Sequence, residues 1–291
     1  MPGAADNPAI TLVCFGLLGS LVVDDGLIER SYAEAIATQG VVTGTSAYAR
    51  RMAQVHQARG QAAADVFESL FPDNPARAQA AHLAFERSVA DAVGRTVIRP
   101  IPGAQPVLEQ IAAAGCRIGV LTNLPGRILS TFLDAAGWRK LVDVALSAEE
   151  VPRGFPAPDM VLSAMLRAGV GDVREVAVVH STGAGVAGGR RSGAAIVSGV
   201  LTGPHPAARL RAAGATNILA SVADLGDVLD GTAFAGEAQQ AGKALQVGEP
   251  GLGKNGFAGP GPVSPSAALA FAPAGQLTSG SSAKYGGEGS Y

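Results

Sequence analysis

The chain has 291 residues, 47% of them hydrophobic, a net charge of −2 and two cysteines. That is enough chain to bury a sizeable core, in one domain with an insertion or in two modest domains. The near-neutral charge leaves no basic footprint for nucleic acid or an anionic membrane, and Cys14 (in LVCF) and Cys116 (in GCRIGVLT) read as buried thiols of a cytoplasmic protein.

An almost unbroken apolar run over residues 10–23 leads into Asp24-Asp25-Gly26. It lacks a basic flank, carries Asp6 upstream, and is shorter than the ~18 apolar residues that a bilayer crossing needs. A buried first strand followed by an apolar loop is expected instead. From 26 to 99 strand signals vanish. Apolar residues at helical spacing predict helices over 27–39, 48–58, 62–70 and 77–93, and Pro100-Ile101-Pro102-Gly103 marks the return to the main domain.

Short apolar runs at 117–121, 142–146, 176–179 and 194–200 then join 11–15 as parallel strands. They alternate with helices predicted over 105–114, 127–136, 158–168 and 207–213, several of them closed by a glycine such as Gly115 or Gly169. The expected fold is α/β, a doubly wound parallel sheet built from 8–25 and 100–230, with a helical cap, 26–99, inserted after the first strand. Residues 231–291, rich in Gly, Pro, Ala and Ser and without apolar periodicity, are expected to be a disordered tail. Within that tail residues 248–255 imitate a phosphate-binding loop, but Asn255 stands where Ser or Thr would hold magnesium, so a plain Gly-rich reading is preferred.

Five spaced motifs carry a resemblance to the haloacid dehalogenase (HAD) hydrolases, over residues 10–229 and with the phosphonatase-like subgroup in particular. The first is Cys14-Phe15-Gly16-Leu17-Leu18-Gly19-Ser20, with Val22-Val23-Asp24-Asp25-Gly26 after it, against a family pattern of hydrophobic-Phe-Asp-x-Asp/Ala-Gly-Thr. The others are Ile101-Pro102-Gly103, Leu121-Thr122-Asn123, the stretch from Glu150 through Gly154-Phe155-Pro156 to Asp159, and Thr202-Gly203-Pro204-His205. The resemblance implies the doubly wound fold with a small helical cap. It also implies a chemistry in which an aspartate attacks phosphorus, with Mg²⁺ held between that aspartate and loop acids.

The residues that would perform this chemistry are replaced. Gly16 stands at the nucleophile position, Leu18 at the general acid/base, and Phe155 at the charge-neutralising lysine. His180-Ser181-Thr182-Gly183-Ala184-Gly185 occupies the Gly-Asp-x-x-x-Asp motif, so Ser181 and Gly185 replace its acids. In the cap segment Arg59-Gly60-Gln61-Ala62-Ala63, Ala63 holds the place of the Schiff-base lysine. The only lysine before residue 231 is Lys140. Thr122 alone survives, as a hydroxyl that would bond a phosphoryl oxygen.

The expectation is a pseudoenzyme retained for binding, regulation or scaffolding, with no catalytic residues, no metal and no cofactor, Mg²⁺ belonging to active relatives. The alternative is a hydrolase with a non-standard mechanism in the same cleft, using Thr122, Ser181 and His180. The expected pocket lining is Gly16, Leu18, Thr122, Asn123, Phe155, His180 and Ser181. An unidentified protein partner, a small molecule in the cleft and a homodimer through the cap are the expected associations; nucleic acid and membrane are not. Gly16→Asp, Leu18→Asp, Ser181→Asp, Gly185→Asp and Phe155→Lys together are expected to restore phosphatase activity.

Overall fold

The first strand, β1 (Leu12–Gly16), is buried along its whole length, as a run of Leu, Val, Cys and Phe requires when both faces of a parallel sheet are covered. In the computed structural model, which describes residues 9–95 and 97–229, β1 is followed by four cap helices. These are α1 (Leu27–Thr38), α2 (Ser46–Ala58), α3 (Ala63–Leu70) and α4 (Pro75–Arg95). The main domain continues as α5 (Ala104–Ala113), β2 (Arg117–Thr122), α6 (Gly126–Ala135), β3 (Val144–Ser147), α7 (Asp159–Arg167) and β4 (Val176–His180). It ends with α8 (Gly183–Ser192), β5 (Ile196–Val200), α9 (Ala207–Ala212), β6 (Asn217–Leu219) and α10 (Leu225–Leu229).

The sheet order is β3-β2-β1-β4-β5-β6, with every pairing parallel. The chain winds one way from β1 through β2 to β3 and the other way from β4 through β5 to β6, so the order reverses between β1 and β4. Open α/β sheets form their crevice at the carboxyl ends of the strands at this switch point. Alternation along β1 feeds two cores: Val13 and Phe15 join a cluster that continues into the cap, while Leu12 and Cys14 join one built on α7 and α8.

The cap is held by its own aromatic group. Tyr32 lies 4.4 Å from Phe85 and 5.2 Å from Phe67, ring centre to ring centre. On α4 the buried Ala78, Ala81, Phe85, Val89 and Val93 form one stripe at helical spacing. Both cysteines are buried and outside any disulfide, and burial pushes Cys14 up to about 12.

Three elements escape the sequence reading: α8, β6 and the short α10. Helix α8, GAGVAGGRRS, has too much glycine to look helical, yet those glycines let it lie against the sheet. A Cβ at Gly188 would collide with the Phe155 ring and one at Gly189 would come 2.9 Å from Val178. Strand β6 is three residues long and only partly buried, too little to give a period. The expected tail, 231–291, and the loop imitation at 248–255 lie outside the described residues.

Candidate functional site

Gly16 ends β1, Thr122 ends β2 and His180 ends β4, three adjacent strands whose carboxyl ends share one edge. His180 dominates this edge. Its Nδ1 accepts the Thr182 backbone N–H at 3.2 Å, which leaves the ring proton on Nε2. Phe155 packs edge-on against it at 5.1 Å. Burial, with a smaller contribution from neighbouring His205, pushes His180 down to about 4, so the imidazole is neutral at pH 7.

The ring stands over Gly16. A Cβ at Gly16 would lie 2.7–2.9 Å from three of its atoms, and a Cβ at Gly185, in the first turn of α8, would fall inside the ring envelope. These are the positions where the family pattern places the nucleophile and a metal acid. The imidazole therefore fills the space from which both carboxylates would project.

A cavity of about 100 Å³ opens above this floor. Of the pocket residues expected from sequence, Leu18, Thr122, Asn123, Phe155 and His180 line it. Gly16 and Ser181 do not, and the expected lining is corrected accordingly. Gly16 is roofed by the His180 ring. Ser181 is fully buried and faces away: its Oγ donates to the Leu18 carbonyl at 2.9 Å and its backbone N–H donates to Ser20 Oγ at 3.0 Å. Ala63, at the cap-lysine position, does reach the wall.

The cap supplies Tyr32, Arg59, Gly60 and Phe85. Gly60 has a positive φ of 88°, and any side chain there would run into Thr182, so only glycine allows so close a seat. Asn123 reaches up to this loop. Its Nδ2 donates to the Gly60 carbonyl at 2.9 Å and to the Phe155 carbonyl at 3.1 Å, and its Oδ1 accepts the Phe155 N–H at 3.0 Å.

The cavity keeps charged residues other than those of the family reaction. Asp24, on the connection into the cap, pairs with Arg59, and both side chains are largely buried. The other Asp24 oxygen accepts the Ile28 N–H at 3.2 Å in the first turn of α1, and Glu29 lies 3.7 Å from Arg59. Nothing in sequence spacing links positions 24 and 59; the fold of the cap does. Arg153 stays outside the cavity, exposed and paired with Asp159 at 2.8 Å. His205 is buried in the loop after β5 and accepts the Gly183 N–H at 2.7 Å; burial and the nearby Arg209 and Arg59 lower it to about 4.

The residues present do not fit Mg²⁺. That ion needs several oxygen ligands in near-octahedral geometry, and the relevant positions are Gly16, Ser181 with its hydroxyl already bonded, and Gly185 under an imidazole. Among the described residues no group of three or more His, Cys, Asp or Glu side chains is placed to hold a metal. Likewise, among the described residues no helix is long and apolar enough to cross a membrane.

Comparison with known proteins agrees with the architecture. A region of 106 residues is 33% identical to a phosphonoacetaldehyde hydrolase of Bordetella pertussis, covering 36% of this chain and 38% of the relative. A similar region is 32% identical to the Vibrio cholerae protein of the same name, covering 36% and 39%. The chain thus aligns with less than two-fifths of the length of these relatives. Among solved structures, a phosphonoacetaldehyde hydrolase-like protein from Oleispira antarctica superposes with a TM-score of 0.68 at 19% identity, over 86% of this chain and 98% of that one. A hydrolase from Pseudomonas syringae gives 0.67 at 21% identity, over 77% and 99%. The model of the haloacid dehalogenase-like hydrolases matches residues 10–193, well over half the chain, and the chain belongs to that family.

Proposed function

We propose that this member of the hydrolase family has given up aspartyl-phosphate chemistry and uses its capped cleft as a binding site. The observation that supports the reading is the neutral His180 ring lodged where the side chains of residues 16 and 185 would project. A nucleophilic carboxylate cannot be added there while the ring remains, and Arg59, the one Lys or Arg among the described residues lining the cavity, is already paired with Asp24. A phosphate dianion entering this cleft would lose its hydration without gaining a free counter-charge. Two buried cysteines outside any disulfide favour a cytoplasmic setting for such a module.

The second reading is a hydrolase of unusual mechanism, and family membership together with the relatives named phosphonoacetaldehyde hydrolase favours it. In that case His180 would serve as the base and Thr122 as a bonding hydroxyl at the same strand edge. A single assay separates the two readings. The full chain is incubated with Mg²⁺ and either phosphonoacetaldehyde or a set of phosphate monoesters, and phosphate release is followed. No release above the protein-free rate is expected; release that disappears in His180→Ala and Thr122→Val would establish the second reading.

A further inference from the structure

The cavity walls are uneven in their hydrogen-bonding capacity. Several side-chain acceptors of the walls are engaged: His180 Nδ1 by the Thr182 N–H, Asn123 Oδ1 by the Phe155 N–H, and Thr122 Oγ1 by the Leu124 N–H at 3.2 Å. Three donors are left over. The His180 Nε2–H, the Thr122 hydroxyl proton and the Tyr32 hydroxyl have no protein acceptor among the described residues, and none of these atoms belongs to the sealed, unbonded polar atoms of the fold. All three residues line the same cavity.

Around them the surface is apolar, from Leu17, Leu18, Ile28, Phe85, Leu121 and Phe155. The ionic groups at the rim do not invite an ion. Arg59 is shared between Asp24 and Glu29, two carboxylates to one guanidinium, so an entering anion meets no uncommitted positive charge. A cation would meet three donor protons. A volume of about 100 Å³, below the ~150 Å³ of a closed dry cavity that takes benzene, admits at most a small ring, part of which stays in the open mouth.

We propose that the cleft binds a small uncharged carbonyl compound, a ring-sized ketone or lactone, with its oxygen directed at the protons of Tyr32, Thr122 and His180. A carbonyl oxygen offers two lone pairs, enough for the Tyr32 and Thr122 hydroxyls that the test removes, and has no proton to place. An alcohol of the same size brings a proton whose uncommitted side-chain acceptors here are the Tyr32 oxygen and, on exposed Gln61, the amide oxygen. A carboxylate brings a charge that Asp24 and Glu29 oppose. The proposal rests on the reading of the cleft as a binding site.

The test uses the full chain titrated with cyclohexanone, cyclohexanol and cyclohexanecarboxylate, followed by calorimetry and ligand-observed NMR. Saturable binding of cyclohexanone is expected, roughly threefold to tenfold tighter than cyclohexanol, the value of about one hydrogen bond, and tighter than the carboxylate. Tyr32→Phe and Thr122→Val should each weaken the ketone by a similar factor, while Thr122→Ser, which keeps the hydroxyl, should bind like the parent and guards against a folding defect. No saturable ketone binding, equal binding of the alcohol, or tighter binding of the carboxylate overturns the proposal. Phosphate release from p-nitrophenyl phosphate and Mg²⁺ is measured on the same samples. Release there would overturn the non-catalytic reading alone, because the ligand class is decided by the titrations.

Discussion

The side-chain amide of Asn123, just beyond β2, donates to the main-chain carbonyl of Gly60 in the cap. The same amide holds Phe155 through both its N–H and its carbonyl, so one residue fastens the cap to the loop beneath the cavity. Asn123→Ala removes three hydrogen bonds, and a loss of about 2–3 kcal/mol in stability is expected from chemical denaturation. Hydrogen exchange should speed up first at residues 59–62. Uniform acceleration across the sheet instead would show that Asn123 does not act locally on the cap.

The packing of His180 over Gly16 predicts a specific non-additivity. Gly16→Ala places a methyl group 2.7–2.9 Å from the ring and should cost about 1–3 kcal/mol by overpacking. In a background of His180→Ala the same change should cost almost nothing, giving a coupling of at least about 1 kcal/mol in a double-mutant cycle. Additive effects in denaturant melts would mean that the ring has another place to go.

Acid should weaken the protein through its two buried imidazoles. Both histidines are lowered from 6.5 to about 4 in the fold, so the unfolded chain binds more protons between those values. Their contribution is therefore complete above about pH 6.5 and is lost as pH falls toward 4. For His180 alone the loss is on the order of 3 kcal/mol. Denaturant midpoints at pH 7.5, 5.5 and 4.5 should fall in that order, and His180→Phe should flatten the trend. An unchanged slope in that variant would exclude His180 as its source.

Magnesium should leave the melting temperature unmoved at millimolar concentration, because binding to the native state alone would raise it. The five replacements set out from the sequence leave the His180 ring in the room that Gly16→Asp and Gly185→Asp require, so on their own they are expected to fall short. Adding His180→Gly as a sixth change is expected to produce a Mg²⁺-dependent thermal shift, and the five without it are not. Equal shifts in both variants would show that the imidazole is displaced easily.

The fold was legible where local pattern and tertiary demand coincide. The apolar run of β1, the helical stripes of the cap, and glycines such as Gly115 and Gly169 with φ of 78° and 71° all mark their elements in sequence. Helix α8 was hidden because close approach to Phe155 and Val178 overrides helix propensity there. In the site, the missing carboxylates were legible from the motif frame alone. What replaced them was not, since the fit of one ring into the space above two glycines, far apart in sequence, depends on how β1 and α8 are brought together. The same holds for Asp24 and Arg59, which meet only through the folded cap.

The exchange of volume among positions 16, 180 and 185 also works as a ratchet on descent. From the present sequence, regaining either carboxylate first meets the ring, and losing the ring first leaves a void beneath Phe155 with no chemistry gained. No single replacement on the way back is both tolerated and useful. Reshaping such a cleft for a new ligand therefore takes fewer concerted changes than installing two carboxylates beneath the ring.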